Sequence, residues 1–260
     1  MSHLLTELKD GVATLTLNRP DVHNAFDDAL IENIINALSD VESNPDVRVV
    51  VLTSNGKHFS AGADLAWMKR MADLDEAQNR DDAQALAELM YKLNNLSKPT
   101  VALVNGAAYG GAVGLIACCD MAIATQRSRF CLSEVKIGLS PAVISPFVVR
   151  AIGERQARRF FLSAEVFDAK QAERFELVHQ LVENEEELKT AGEELIHNLL
   201  QNSPQAVGKT KELIQTVSGA PLDQSTRDYT VNLIASIRVS EEGQEGLGSF
   251  LEKRKPGWIR

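Results

Sequence analysis

The feature that most constrains this chain is an uncharged stretch, residues 101–119, broken by glycines. Its length would suit a membrane span, but Gly106, Gly110, Gly111 and Gly114 interrupt it and Asn105 adds a polar group. Pro99 and Asp120 bound it, so a buried strand, a glycine turn and a buried helix fit better than a single apolar helix. The pattern therefore predicts a strand over 101–104, a helix ending at Cys119, and no membrane association.

Around that stretch the hydrophobic period alternates. Residues 12–17 read as a strand stopped by Asn18-Arg19-Pro20, and Asp27 or Asp28 caps a helix carrying Leu30, Ile31, Ile34, Ile35 and Leu38. Residues 48–53 read as a short buried strand that turns at Ser54-Asn55-Gly56. Asp64 caps a helix through Met68 and Met71, and a longer helix carries Leu86, Leu89, Met90, Leu93 and Leu96. A further strand follows at 121–124. This order predicts α/β layering, with parallel strands linked by helices. From about Pro141 the chain reads as mostly helical, with a strand at 177–182. From Ala191 to Phe250 it reads as a polar helical appendage, broken at Ser203-Pro204 and Gly219-Ala220-Pro221. The expected division is a core of residues 1–190 and a helical region of residues 191–260.

Composition narrows the function. Hydrophobic residues make up 44% and charged residues 24% of the 260, which excludes wholesale disorder, collagen and coiled coil. Lys and Arg number 27 against 36 Asp and Glu, a formal charge of -9. A surface that acidic repels phosphate backbones, so no nucleic-acid partner is expected. Three cysteines, with Cys118 and Cys119 adjacent, form no disulfide framework and point to a reducing compartment. Residues 1–10 lack the apolar segment of a secretory leader. The expected location is cytoplasmic.

Several tempting motifs lack the required pattern. Gly208-Lys209-Thr210 looks like the end of a phosphate loop, but Ser203 stands where the upstream glycine belongs. Gly110-Gly111-Ala112-Val113-Gly114 lacks the spacing of a dinucleotide-binding turn, so no nicotinamide or flavin is expected. His3, His23, His58, His179 and His197 show no metal-ligand spacing, and no metal is expected. Cys118 and Cys119 sit in an apolar helix and read as packing.

Three features carry more. In Phe59-Ser60-Ala61-Gly62-Ala63-Asp64, small residues leave the backbone bare just before a helix whose first N–H groups have no internal partner. Gly110-Gly111-Ala112 opens a second apolar helix with the same surplus of donors. One N–H from each, aimed at a common point, would make an oxyanion hole for a carbonyl oxygen; alternatively the glycines only allow close strand–helix packing. The third feature is Glu134, set among apolar residues in Phe130-Cys131-Leu132-Ser133-Glu134-Val135-Lys136-Ile137-Gly138. A carboxylate there is either used or partnered; alternatively it is a surface glutamate paired with Lys136.

Taken together, these blocks resemble the enoyl-CoA hydratase/isomerase (crotonase) family. The matching residues are Leu17-Asn18-Arg19-Pro20 with Asn24-Ala25, residues 59–64, Asn105-Gly106 through Gly110-Gly111 to Cys119-Asp120, Ser133-Glu134, Ile152-Gly153, and the closing Phe250-Leu251-Glu252-Lys253-Arg254. The resemblance implies a spiral of repeated ββα units, a C-terminal helical trimerisation region, and a homotrimer or a hexamer of two trimers. It implies an acyl-CoA thioester as substrate, with CoA part of the substrate and no separate cofactor. The oxyanion donors would be the backbone N–H groups of Ala63 and Gly111, with Gly110 beside them, and Glu134 the acid/base. Asp64, Leu65 and Ala66 would lie along the pantetheine and acyl path, with Met68 facing the acyl group. Val22, Asn24 and Ala61 would hold the nucleotide end, and Phe250 and Lys253 would reach a CoA in the same or an adjacent subunit.

Within the family, Ala61-Gly62-Ala63-Asp64-Leu65, Trp67-Met68-Lys69-Arg70-Met71 and Pro141-Ala142-Val143-Ile144-Ser145-Pro146 resemble bacterial 3-methylglutaconyl-CoA hydratases of leucine breakdown. The expected reaction is hydration of that branched enoyl-CoA. Lys69, Arg70, Lys136 and Arg150 are the candidate partners of its distal carboxylate. One departure stands out: hydratases of the two-carboxylate kind carry a second glutamate where this chain has Gly114. An isomerase needing only one glutamate is therefore a rival, as is a non-catalytic acyl-CoA-binding or RNA-binding protein.

Overall fold

The computed structural model describes residues 2–259. Strand β1 (Leu4–Lys9) turns back through Asp10 and Gly11, both with positive φ, and pairs antiparallel with β2 (Val12–Leu17). The sequence pattern assigns no element to residues 4–9. They form an edge strand with only Leu4 buried, so it shows no alternation strong enough to read, and the Asp-Gly hairpin turn is its one signal.

The strands β3 (Val49–Ser54), β4 (Thr100–Val104), β6 (Met121–Thr125) and β9 (Gln180–Val182) continue the sheet in parallel, in the order β1-β2-β3-β4-β6-β9. A smaller sheet of β5 (Ala107–Tyr109), β7 (Arg129–Cys131) and β8 (Phe167–Asp168) lies in the order β5-β7-β8. A bridge from Ser60 to Ala108 extends that sheet by one position. Each coil of the chain thus contributes a strand to one sheet, a short strand or bridge to the other, and then a helix. This is the ββα spiral expected. The uncharged stretch resolves into β4, β5 and α4 (Gly111–Cys118). The turn expected at 105–110 hides β5, three residues long and too short for periodicity to show.

Helix α1 (Asp28–Ser43) is capped by Asp27, whose carboxylate accepts from Leu30 N. Helix α2 (Leu65–Ala72) precedes α3 (Glu76–Asn95), which packs on α1. The core of the spiral includes Phe59, Leu89, Met90, Leu115, Phe130, Phe160 and Phe167, all fully buried. Burial pushes the Cys119 thiol up to about 12 and raises Cys118 further, in keeping with packing rather than reactivity.

After α5 (Ser145–Ser163) and α6 (Ala169–Arg174) come α7 (Glu185–Leu200), α8 (Pro204–Val217), α9 (Gln224–Val239) and α10 (Glu241–Glu252). Two expectations are corrected. The strand over 177–182 shrinks to Gln180–Val182, because Leu177 and Val178 are buried as irregular chain. The boundary at 190/191 falls inside α7, which packs on β4 and β6. The breaks at Ser203-Pro204 and at 219–221 are present, and Ser240 adds another by capping α10.

Candidate active site

The segment at 22–26 and the segment at 61–64 run side by side. Ala61 N donates to His23 O (2.9 Å), Phe26 N to Gly62 O (2.7 Å) and Asp64 N to Phe26 O (2.8 Å). The hydrogen bonds of Gly62 and Asp64 with Phe26 turn the intervening Ala63 N–H outward. Gly62, at φ +94, lies against the backbone of Tyr109, where an added Cβ would meet the Tyr109 carbonyl oxygen at 3.1 Å. Tyr109 N donates to Ser60 O (3.0 Å). The second glycine turn is thereby pinned to the first.

Gly110 and Gly111 follow at once. Gly110 has φ 54 and ψ -122, a conformation that side chains resist. Gly111 opens α4 over the ring of Phe26, 3.5 Å from where a Cβ would stand. Phe26 therefore pairs with Ala63 through its backbone and supports Gly111 through its ring. Among the described residues, neither the Ala63 nor the Gly111 N–H has a hydrogen-bond partner.

Glu134 enters from the other side, at the start of the 3-10 turn Glu134–Ile137 that follows β7. A Cβ on Gly110 would lie 3.1 Å from Glu134 Oε1, so the bare backbone makes room for the carboxylate. Glu134 Oε2 is buried and has no hydrogen-bond partner. Burial raises its pKa above the usual carboxylate range. The pairing with Lys136 left open by the sequence is absent. The site thus holds two outward N–H donors and one poorly solvated carboxylate, a set able to polarise a carbonyl and to move a proton beside it.

Asp64 caps α2. Burial opposes its ionisation, but the N–H groups of Trp67 and Ala66 and the guanidinium of Arg19 overcome that and hold its carboxyl below the usual range. Its side chain is therefore spent on α2 and Arg19 rather than offered to a ligand. Val22, Ala61, Leu65 and Ala66 are exposed along the rim and Met68 is half-buried.

Asn24 is corrected. Its side chain is fully buried, accepting from Arg19 N (2.7 Å) and donating to Asn55 O (2.8 Å) and His58 O (2.9 Å). It shapes the loop and cannot itself hold a nucleotide.

Phe250 and Lys253 are exposed on and just after α10, which packs on α8 and α9. The chain beyond α10 is anchored through Trp258 O to Arg48, at the N-terminal end of β3 (2.9 Å). The first glycine turn follows the C-terminal end of β3, and the second follows β5 of the smaller sheet.

The departure at Gly114 has a steric cause. A Cβ there would lie 2.8 Å from Ile144 Cβ, closer still to Ile144 Cγ2, and 3.2 Å from Met90 Cε. The room a second carboxylate would need is filled by Ile144. Sequence reasoning quoted Ile144 and Arg19 inside motifs but gave neither a role. Their partners lie far along the chain, and no local spacing announces them.

A family model described as enoyl-CoA hydratase/isomerase matches residues 7–260. The chain is 32% identical over 257 residues to the 2,3-dehydroadipyl-CoA hydratase of Escherichia coli, with 98% of each covered. It is 31% identical over 255 residues to the trans-2-decenoyl-(acyl-carrier-protein) isomerase of Streptococcus mutans, covering 97% of this chain and 96% of that protein. The crystal structure of an enoyl-CoA hydratase from Shewanella pealeana is similar with a TM-score of 0.96 and 50% identity, covering 98% of this chain and 96% of that one.

Proposed function

The chain belongs to the enoyl-CoA hydratase/isomerase family as an enzyme of enoyl-CoA hydratase type, and from that premise we propose that it adds water reversibly to a short, branched enoyl-CoA. The observation that carries this reading is Glu134, whose Oε2 is buried without a partner, beside the glycine turn that carries a bare N–H donor. As carboxylate, Glu134 takes a proton from water while the water oxygen bonds to the β-carbon. The π electrons move toward the thioester, and the negative charge on its oxygen is met by the N–H groups of Ala63 and Gly111. The enolate then collapses, and the protonated Glu134 returns a proton to the α-carbon. One carboxylate suffices for both transfers, which suits a chain whose position 114 is closed by Ile144.

The substrate we favour is 3-methylglutaconyl-CoA, giving 3-hydroxy-3-methylglutaryl-CoA. The support is the resemblance of residues 61–71 and 141–146, and the name of the Escherichia coli relative, whose dehydroadipyl substrate also ends in a carboxylate. Of the four cations considered, Arg70 is already paired with Asp28 (2.8 Å). Lys136, in the same short turn as Glu134, is the one nearest the acid/base along the chain. The exposed Val231 and Ile234 of α9 and Leu247, Phe250 and Leu251 of α10 support a trimeric or hexameric assembly, through which Phe250 and Lys253 would serve a neighbour's CoA. We place the protein in the cytoplasm. Among the described residues no helix is long and apolar enough to cross a membrane.

The closure at Gly114 also favours a second reading, double-bond migration, which needs one base and no water. Incubation with 3-methylglutaconyl-CoA and crotonyl-CoA in oxygen-18 water separates the two. Loss of enoyl absorbance with label in the product supports hydration. Unlabelled, shifted alkene replaces it with isomerisation, and turnover of crotonyl-CoA alone removes the branched substrate.

A further inference from the structure

Arg19 stands where β2 ends, 45 residues before Asp64 in sequence but touching it in space. Its Nη2 lies 3.0 Å from Asp27 Oδ2 and 3.0 Å from Asp64 Oδ2, and its Nη1 donates to Ala25 O (2.6 Å). All three side chains are largely buried. Each carboxylate divides its labour. Asp27 Oδ1 accepts from Leu30 N and caps α1, Asp64 Oδ1 accepts from Ala66 N and Trp67 N and caps α2, and both second oxygens share one guanidinium.

We propose that Arg19 is a positioning residue for the thioester-oxygen site, acting through Asp64 on the adjoining Ala63 N–H. The proposal rests on the reading of Ala63 and Gly111 as the donors to that oxygen.

Two physical consequences follow from the fork. The first is geometric. Ala63 sits on a strip held to Phe26 by the hydrogen bonds of Gly62 and Asp64. The Arg19 fork fastens the same strip from the side chains, tying Asp64 to Ala25 and Asp27 of the neighbouring segment. A donor that must point at a growing charge gains from a second, crosswise restraint, because misdirection weakens it before it breaks it.

The second consequence is electrostatic. Asp27 and Asp64 share one guanidinium, so the cluster carries a net single negative charge with Arg19 and a double one without it. An extra uncompensated carboxylate next to Ala63 opposes the negative charge that the site exists to stabilise. Arg suits this role and Lys does not, since a point ammonium cannot serve two carboxylates and a carbonyl in one plane.

The test uses butanoyl-CoA carrying carbon-13 at the thioester carbonyl, an analogue with no double bond to hydrate, bound to the unsubstituted protein, to Arg19→Met and to Arg19→Lys. Its carbonyl stretch is read by infrared difference spectroscopy, alongside kcat and KM for crotonyl-CoA. The expected result is a stretch lowered on binding to the unsubstituted protein and returned toward the free value in Arg19→Met. With it comes a roughly 10- to 100-fold fall in kcat and a KM within about threefold. Arg19→Lys falls between. The variant Arg19→Met/Asp64→Asn, which removes the charge imbalance, recovers part of kcat. Should Arg19→Met fail to fold, the lysine variant carries the measurement.

An equally lowered stretch in the folded Arg19 variants, with kcat unchanged, overturns the proposal and leaves the oxygen site standing. No lowering in the unsubstituted protein removes the donor role of Ala63 and Gly111 and this proposal with it.

Discussion

Two regions of the spiral treat a carboxylate in contrary ways, one at the N-terminal ends of β4 and β6 and one past the C-terminal end of β7. At the N-terminal ends of β4 and β6, Asp120 Oδ2 accepts from Thr100 N (2.7 Å), Thr100 Oγ1 (2.9 Å) and Lys211 Nζ (2.8 Å). Lys211 arrives from α8 and also reaches Lys98 O (3.3 Å). Past the C-terminal end of β7, in the smaller sheet, Glu134 Oε2 is buried with no hydrogen-bond partner. The first arrangement satisfies a charge and ties the helical appendage to the spiral. The second leaves one carboxylate oxygen unsatisfied, a cost to stability that the proposed proton transfer would account for. Of these two carboxylates, the saturated one fastens the appendage, and the one with an unsaturated oxygen lies at the proposed site.

The largest effect expected from breaking that contrast comes from Glu134→Gln. Removing the proposed acid/base should lower kcat about a thousandfold. The same change should stabilise the fold, with a definite dependence on pH. Burial raises the folded-state pKa of Glu134, so between the unfolded and folded values the native state holds more protons than the unfolded one. Stability from this group is present at acid pH, is lost as pH rises through that window, and stays lost above it. Urea titrations of both proteins should therefore coincide in acid and separate toward neutral pH, with the glutamine variant the more stable. In the unsubstituted enzyme, kcat/KM should rise with pH through the same raised value, since the base form is needed first. Equal stabilities at neutral pH would mean that Glu134 is solvated and no strained base.

The other region should answer in reverse. Lys211→Met leaves Asp120 without its counter-charge and should cost about 3 kcal/mol of stability, read from denaturant midpoints, while kcat per folded molecule holds. Replacing the pair together by apolar residues should recover only part of the loss, because the desolvation cost of both charges disappears while Thr100 N and Oγ1 lose their acceptor. A kcat that falls in step with Lys211→Met would deny the separation between the two regions.

How much of this was legible depends on distance along the chain. The helices announced themselves through local signals: the caps at Asp27 and Asp64, and the apolar spacing of Leu30, Ile31, Ile34 and Leu38. The two glycine turns and Glu134 stood out as candidates by their bare backbone and by a carboxylate among apolar residues. Close packing and a surface glutamate fitted the same residues, however, and only the family resemblance gave them roles. What stayed hidden is pairwise and remote. No spacing tells that Arg19 meets Asp64, that Lys211 meets Asp120, or that the amide of Asn24 is consumed by Asn55 and His58. For Asn24 the motif suggested a ligand contact, and burial assigns it to the loop instead. Edge strand β1 and the three-residue β5 were missed for a different reason: one is too exposed and the other too short to carry a period.

The smallest of the expected effects tests the one place where the sequence withheld a side chain. Gly114 was read as a lost carboxylate, yet the structure makes it a contact. Met90 of α3 and Ile144 of the segment before α5 close over it. Gly114→Ala should therefore destabilise by about 2 kcal/mol through overpacking, although alanine is the better helix former. Ile144→Ala alone should also destabilise, by opening a cavity. Combined, the two should cost less than their sum, since the added methyl enters the space the isoleucine vacates. Additive losses would place the two residues out of contact. A stabilised Gly114→Ala would mean that helix propensity prevails, that room for a side chain exists there, and that the lone-carboxylate reading of this site has lost its steric ground.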